Sequence, residues 1–176
     1  MLAETRRLLK QGIGYALGDY CRLSEKPLGI DVKPKEDQLK CALYRAFTET
    51  GHVVHVEGGY ARAKGKCDLM VAIDGSHKPI GLELKTAWAA TRWNNKPPEQ
   101  AAKWANDYEK LRSLPDRGFG AGFFVLLFAY AADTAAEESL RAMIDGLGNP
   151  DLRTEPRAIT LWNGLDSLEC FAWRVF

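Results

Sequence analysis

The strongest constraint on the fold lies in residues 66–85, KCDLMVAIDGSHKPIGLELK. Two short apolar runs flank Asp74-Gly75-Ser76-His77-Lys78-Pro79, a cluster of turn-forming residues. The pattern predicts a β-hairpin. Side chains alternate along a strand, so Leu69, Val71 and Ile73 share one face of the first strand and Asp68, Met70 and Ala72 the other. On the second strand Ile80, Leu82 and Leu84 share a face, and Gly81, Glu83 and Lys85 take the opposite one. Folding about the turn stacks the two apolar triplets. It also brings Asp68, opening the first strand, beside Glu83 and Lys85, closing the second. Strands that build a core seldom carry charges unless these are paired or bind metal. The trio is therefore the leading functional candidate.

The rest of the chain sets the frame. At 176 residues it is expected to form one domain with a substantial core. Its formal net charge of +1 excludes a histone-like basic protein. It leaves a phosphate-binding cleft open, because only local charge matters there. Cys21, Cys41, Cys67 and Cys170 show no CxxC spacing and no histidine at zinc-ligand spacing. They read as four reduced, buried thiols of a cytoplasmic protein. The opening MLAETRRLLKQG is charged throughout and has no apolar segment of a signal peptide. The longest apolar run, residues 121–132, is too short to span a bilayer and reads as a buried strand, so no membrane partner is expected. There is no internal repeat or low-complexity tract.

Residues 3–20 have helical spacing of Leu8, Leu9, Ile13, Ala16 and Leu17, weakened by Gly12 and Gly14. Residues 22–34, with Pro27, Gly29 and Pro34, read as a connection. A helix is expected over 35–50, where Leu39, Leu43 and Phe47 recur every four residues, Ala42 and Ala46 widen the stripe and Gly51 ends it. Residues 52–57 (HVVHVE) predict a strand with His52 and His55 on opposite faces, which argues against a shared metal; His77 lies in the turn. Beyond the hairpin, 87–98 reads as a loop, and Pro97 or Pro98 can start a helix over 99–114 with Ala101, Trp104, Tyr108 and Leu111 inward. Then come a fully buried strand over 120–130, a helix over 134–147, and strands over 158–162 and 168–175.

An Asp, a hairpin and then Glu-x-Lys resembles the PD-(D/E)XK nuclease superfamily, the fold of many restriction and repair endonucleases. Asp68 matches the motif's Asp and Glu83-Leu84-Lys85 its (D/E)-x-K, while Cys67 stands where the motif has its naming Pro. The resemblance implies an α/β, restriction-endonuclease-like αβββαβ core over about residues 35–130. A central mixed sheet would be flanked by helices, with an N-terminal helix and a C-terminal helix plus two strands added. It implies hydrolysis of phosphodiester bonds, in DNA in preference to RNA, with Mg²⁺ as cofactor and Mn²⁺ as a substitute. Asp68, Glu83 and the backbone carbonyl of Leu84 would hold the metal. Two close carboxylates repel and raise each other's pKa, a penalty that a divalent cation removes. The metal would act as Lewis acid and lower the pKa of an attacking water, and Lys85 would orient that water or stabilise charge on the phosphate. Glu36 matches the acidic residue that the helix before the sheet often contributes, though a first-turn Glu also suits the helix dipole. Gln100 matches a Gln or Lys from the following helix, with Lys103 a weaker candidate; Tyr108 is either a nucleic-acid contact or a core residue. Enzymes of this kind often dimerise, so a homodimer is a further expectation.

Arg62, Lys64 and Lys66 precede the first motif strand, and Arg92 and Lys96 follow the second. Trp88 and Trp93 interleave with the latter pair. This composition suits phosphate contact with base stacking, and equally an ordinary solvated loop. Two competing readings stand beside the nuclease. One is a catalytically silent member of the fold that binds nucleic acid or protein. The other is an unrelated α/β protein in which Lys85 and a carboxylate form a structural ion pair.

Overall fold

The computed structural model describes residues 2–25, 35–58, 66–89, 97–130, 135–161 and 164–176. In chain order the elements are α1 (Leu2–Ser24), α2 (Glu36–Thr48), β1 (Val53–Val56), β2 (Leu69–Ala72), β3 (Ile80–Ala89), α3 (Pro97–Arg112), β4 (Ala121–Tyr130), α4 (Ala135–Gly146), β5 (Leu152–Arg153), β6 (Arg157–Leu161) and β7 (Gly164–Arg174). A single 3₁₀ turn, Pro115–Arg117, precedes β4. The chain is thus an α/β protein with a mixed seven-stranded sheet in the order β1-β2-β3-β4-β7-β5, and β6 also pairs with β7. β3 and β4 run parallel, and the other ladders are antiparallel.

β4 is the axis of the sheet, and every one of its residues is buried. A strand covered on both faces reads as a continuous apolar run, which GFFVLLFAY supplies. Alternation divides it. Phe123, Val125, Leu127 and Ala129 join Leu8, Leu9, Ile13, Leu39, Leu43 and Phe47 in the core under α1 and α2. Phe124, Leu126, Phe128 and Tyr130 join Trp104, Leu111, Leu140 and Ile144 under α3 and α4. On the hairpin, Leu69, Val71, Ile73, Ile80, Leu82 and Leu84 all enter the first core, so the two apolar triplets stack as alternation requires. The register is Leu69↔Leu82, Met70↔Gly81 and Val71↔Ile80.

Several boundaries differ from those the local pattern suggests. β3 continues to Ala89, held by a parallel ladder that reaches Trp88↔Ala129 and Ala89↔Tyr130. Lys85 therefore lies within the strand; of the expected loop over 87–98, residues 87–89 belong to β3 and 97–98 to α3, and 90–96 lie outside the described residues. Both chain ends are built into the core. β7 pairs with β4 from Phe123↔Arg174 to Tyr130↔Ser167. The short strand β5, unforeseen in the sequence, pairs with β7. α1 runs on to Ser24 and packs on α2 through Gly12, where a Cβ would meet Leu43 Cδ2 at 2.7 Å and Leu43 Cα at 3.0 Å. The glycine that weakens the helix locally thus permits its close approach. All four cysteines are free, but only Cys67 and Cys170 are buried; Cys21 is half-buried and Cys41 exposed. Among the described residues, no helix is long and apolar enough to cross a membrane.

A buried carboxylate lies on the α4 side, away from the hairpin. Glu169 of β7 is fully buried and accepts hydrogen bonds from the Tyr130 hydroxyl, from Arg141 at 3.0 Å and from Arg153 at 3.2 Å. Its charge is satisfied within the fold, as a buried ion requires.

Candidate active site

The site lies where β2 leaves β3. Their pairing ends at Leu69↔Leu82. Asp68, one residue before β2, turns its carboxylate onto the next free backbone donor, and the Leu84 N–H donates to Asp68 Oδ2 at 2.7 Å. The Leu84 carbonyl accepts from Lys85 Nζ at 2.9 Å. Glu83 and Lys85 share the face of β3 that looks toward α3, as their parity demands.

Around them the helices bring more charge than the motif contains. Lys85 Nζ lies 3.2 Å from Asp107, 3.5 Å from Glu83 and 3.7 Å from Glu36. Lys110 Nζ lies 2.9 Å from both oxygens of Glu83. Lys40 of α2 lies 3.5 Å from Asp68 and 3.2 Å from Glu57. The trio therefore meets at one place, with one correction: the ammonium paired with Asp68 is that of Lys40, whereas Lys85 pairs with Glu83, Glu36 and Asp107. The reason is where the ladder stops. Asp68 is drawn to the Leu84 amide on the open edge of β3, within reach of α2.

Glu36 does reach the site. It opens α2, whose start is fixed by Tyr20: the Lys35 N–H donates to the Tyr20 hydroxyl at 2.6 Å, and that hydroxyl donates to the Lys35 carbonyl at 3.1 Å. Glu57 takes a left-handed conformation, φ 54°, as the chain leaves β1, and its N–H bonds the Asp68 carbonyl at 2.9 Å. Such a backbone is uncommon for a residue with a Cβ; here it carries the Glu57 carboxylate to Lys40 and, at 3.9 Å, Lys66.

Among the described residues the cluster holds more carboxylates than ammoniums: Glu36, Glu57, Asp68, Glu83 and Asp107 against Lys40, Lys66, Lys85 and Lys110. That surplus, with burial, sets the proton affinities. Burial and the Asp68 charge push the Glu83 carboxyl up to about 7, against the pull of Lys110 and Lys85. Burial raises Glu36 as well, opposed by Lys85. Burial works against the Lys85 ammonium, but Glu83, Glu36, Asp107 and Asp68 outweigh it and hold its pKa above the ordinary lysine value. Lys85 is thus a fixed cation across the physiological range.

Asp107, Lys110, Lys40 and Glu57 stand outside the set expected from the motif. Asp107 had a signal: it falls three residues after Trp104 and four before Leu111, on the inward stripe of α3, where a charge needs a partner. Lys110 follows it at i+3, and Lys40 follows Glu36 at i+4. Gln100 lies in the first turn of α3, with its side chain outside the described residues. Lys103 is exposed. Tyr108 packs edge-on against Phe124, with ring centroids 6.0 Å apart, which is the core role. Of the expected nucleic-acid contacts, Lys66 is 65% exposed beside Glu57; Arg62, Lys64, Arg92, Lys96 and Trp93 lie outside the described residues, as does the Trp88 side chain. His52 is buried and accepts a hydrogen bond from the Asp74 N–H at 3.3 Å, while His55 is exposed, so the two do face opposite ways.

The donors expected for a metal, namely Asp68, Glu83 and the Leu84 carbonyl, are all oxygens, the kind that suits Mg²⁺. Two of them, Glu83 Oε1 and Leu84 O, already converge on a cation, the Lys85 ammonium, at 3.5 and 2.9 Å. The donor chemistry therefore fits a hard divalent ion. Among the described residues, no group of three His, Cys, Asp or Glu side chains is spaced to hold a metal as they stand; Asp68 is held by the Leu84 N–H and Lys40, and Glu83 by Lys110 and Lys85. No family model, curated protein or solved structure matches this chain.

Proposed function

We propose that this protein is a divalent-metal-dependent nuclease that hydrolyses phosphodiester bonds in DNA, built on a restriction-endonuclease-like arrangement of its sheet. The observation that carries this reading is the convergence of Asp68, Glu83, the Leu84 carbonyl and Lys85 at the point where β2 leaves β3. The order α2-β1-β2-β3-α3-β4, with β3 parallel to β4, supports it.

On this reading Asp68, Glu83 and the Leu84 carbonyl hold Mg²⁺, or Mn²⁺ in its place. The ion supplies Lewis acidity and a more acidic attacking water. The chain's own residues do the rest. Lys85, kept protonated by Glu36 and Asp107, presents a fixed positive charge to the phosphate as negative charge builds in the transition state. Lys40 holds Asp68 in place from α2. Lys85 would yield the Leu84 carbonyl and Glu83 to the ion and stay beside the site through Glu36 and Asp107.

The test is nicking of a supercoiled plasmid with Mg²⁺ or Mn²⁺. Lys85→Ala and Asp68→Asn should each lower the rate by about 10²–10³ while the protein stays folded, the usual cost of removing one preorganised charge. Near-full activity of Lys85→Ala would remove that residue from the mechanism. A catalytically silent binding module of the same fold is the second reading, favoured by one observation: Lys110 already neutralises both oxygens of Glu83. Wild-type protein that binds DNA and never cuts it would favour that module.

A further inference from the structure

Glu83 is held by a residue that the Asp/Glu-x-Lys pattern does not contain. Lys110 Nζ lies 2.9 Å from each oxygen of its carboxylate. The Glu83 side chain is 5% exposed and that of Lys110 28%, so the ammonium stands on the solvent side of the carboxylate it covers. The backbone beneath it is anchored, because Trp104 and Leu111 on the inward stripe of α3 are buried in the core. The lysine stem itself is flexible and partly open to water, and Asp107 lies 3.8 Å away. Lys85 is placed differently: at 17% exposure it is ringed by Glu83, Glu36, Asp107 and the Leu84 carbonyl. An ion that takes the Leu84 carbonyl and Glu83 Oε1 leaves Lys85 with Glu36 and Asp107 as partners, whereas Lys110 uncovers both oxygens of Glu83 by one side-chain swing.

We infer that Lys110 is a displaceable latch on Glu83, holding both carboxylate oxygens in the metal-free protein and giving them up to a divalent cation. The inference rests on the reading of Glu83 as a cation ligand. Its consequence is competition. Each binding event must break a bidentate, charge-assisted contact to a nearly buried carboxylate, so Lys110 weakens metal binding and sets the concentration at which the site fills. Glu83 keeps Lys85 as a partner when Lys110 is removed, so the fold does not depend on the latch.

The experiment is isothermal titration of Mn²⁺ into metal-free wild type, Lys110→Met, Lys110→Gln, Lys110→Arg and Lys78→Met. Lys78 controls for net charge, since it is exposed in the turn before β3. Both neutral variants at Lys110 should bind Mn²⁺ at least tenfold more tightly than wild type. Lys78→Met should stay within about twofold, and Lys110→Arg, which keeps the cation, should stay near wild type. A crystal of the wild-type protein grown with Mn²⁺ gives a measurement independent of any variant: Lys110 Nζ should lie beyond hydrogen-bond reach of Glu83. Equal affinity of wild type and both neutral variants overturns the latch and leaves the metal site standing, as does a Lys110 ammonium still on Glu83 beside a bound ion. No Mn²⁺ binding to any of the proteins overturns both the latch and the metal reading.

Discussion

Glu83→Gln isolates the cost of placing a charged carboxylate inside this fold. Burial and the Asp68 charge lift the Glu83 pKa from an ordinary 4.5 to about 7. A raised acid pKa means that the folded chain holds its proton longer than the unfolded chain does. Folding is then unpenalised below about pH 4.5, loses stability as pH rises through the window between 4.5 and 7, and carries the full cost above it. At 1.36 kcal/mol per pH unit the cost is about 3 kcal/mol. Glutamine matches the shape of the protonated acid and does not ionise. Without metal, the unfolded chain is already largely ionised at pH 5, so about 1 kcal/mol of the cost is present there. Between pH 5 and pH 8 the variant should gain about 2–3 kcal/mol relative to wild type. Urea unfolding at pH 5, 6, 7 and 8 in EDTA reads this directly, and an unchanged m-value confirms that stability alone has moved. The difference between pH values is the measure, so any constant cost of the amide beside Lys110 cancels. A pH-independent gap would refute the reasoning: the pairs with Lys110 and Lys85 would then fully offset burial.

Other outcomes follow from the same geometry. Mg²⁺ at a hundredfold excess over Kd should stabilise the wild type by about 2.7 kcal/mol, and Asp68→Asn should abolish that gain in calorimetric scans. Gly12→Ala places a Cβ at 2.7 Å from Leu43 Cδ2 and 3.0 Å from its Cα; overpacking of this kind should cost about 1–3 kcal/mol, read as a lowered Tm. Gly14→Ala, two residues on, meets nothing within 4 Å and should gain about 0.5–1 kcal/mol from helix propensity alone. Glu169→Gln weakens the acceptor shared by Arg141, Arg153 and the Tyr130 hydroxyl, and should cost about 1–3 kcal/mol in urea unfolding.

Much of the site could be read from local pattern. The two-residue period of the hairpin placed Leu69, Val71, Ile73, Ile80, Leu82 and Leu84 on one face, and they are all in one core. It also put Glu83 and Lys85 together on the other. The four-residue repeat of Leu39, Leu43 and Phe47 marked α2, with Glu36 at its start. The partners of these charges were not readable in the same way. Asp68 pairs with Lys40 and Glu83 with Lys110, across sequence separations that no local period spans. Asp107 shares the inward stripe of α3 with the buried apolar Trp104 and Leu111, so periodicity alone marks it as core.

The sequence by itself determined the faces of the hairpin, the helices around it and the chemistry available at its charged end, because backbone geometry alone sets those periods. The tertiary structure decided how far β3 extends, that β7 lies beside β4, and which ammonium each carboxylate holds. Those outcomes depend on strand order and helix packing, which bring distant residues within a few ångströms. There, burial and the surplus of carboxylates over lysines among the described residues set both pairing and proton affinity.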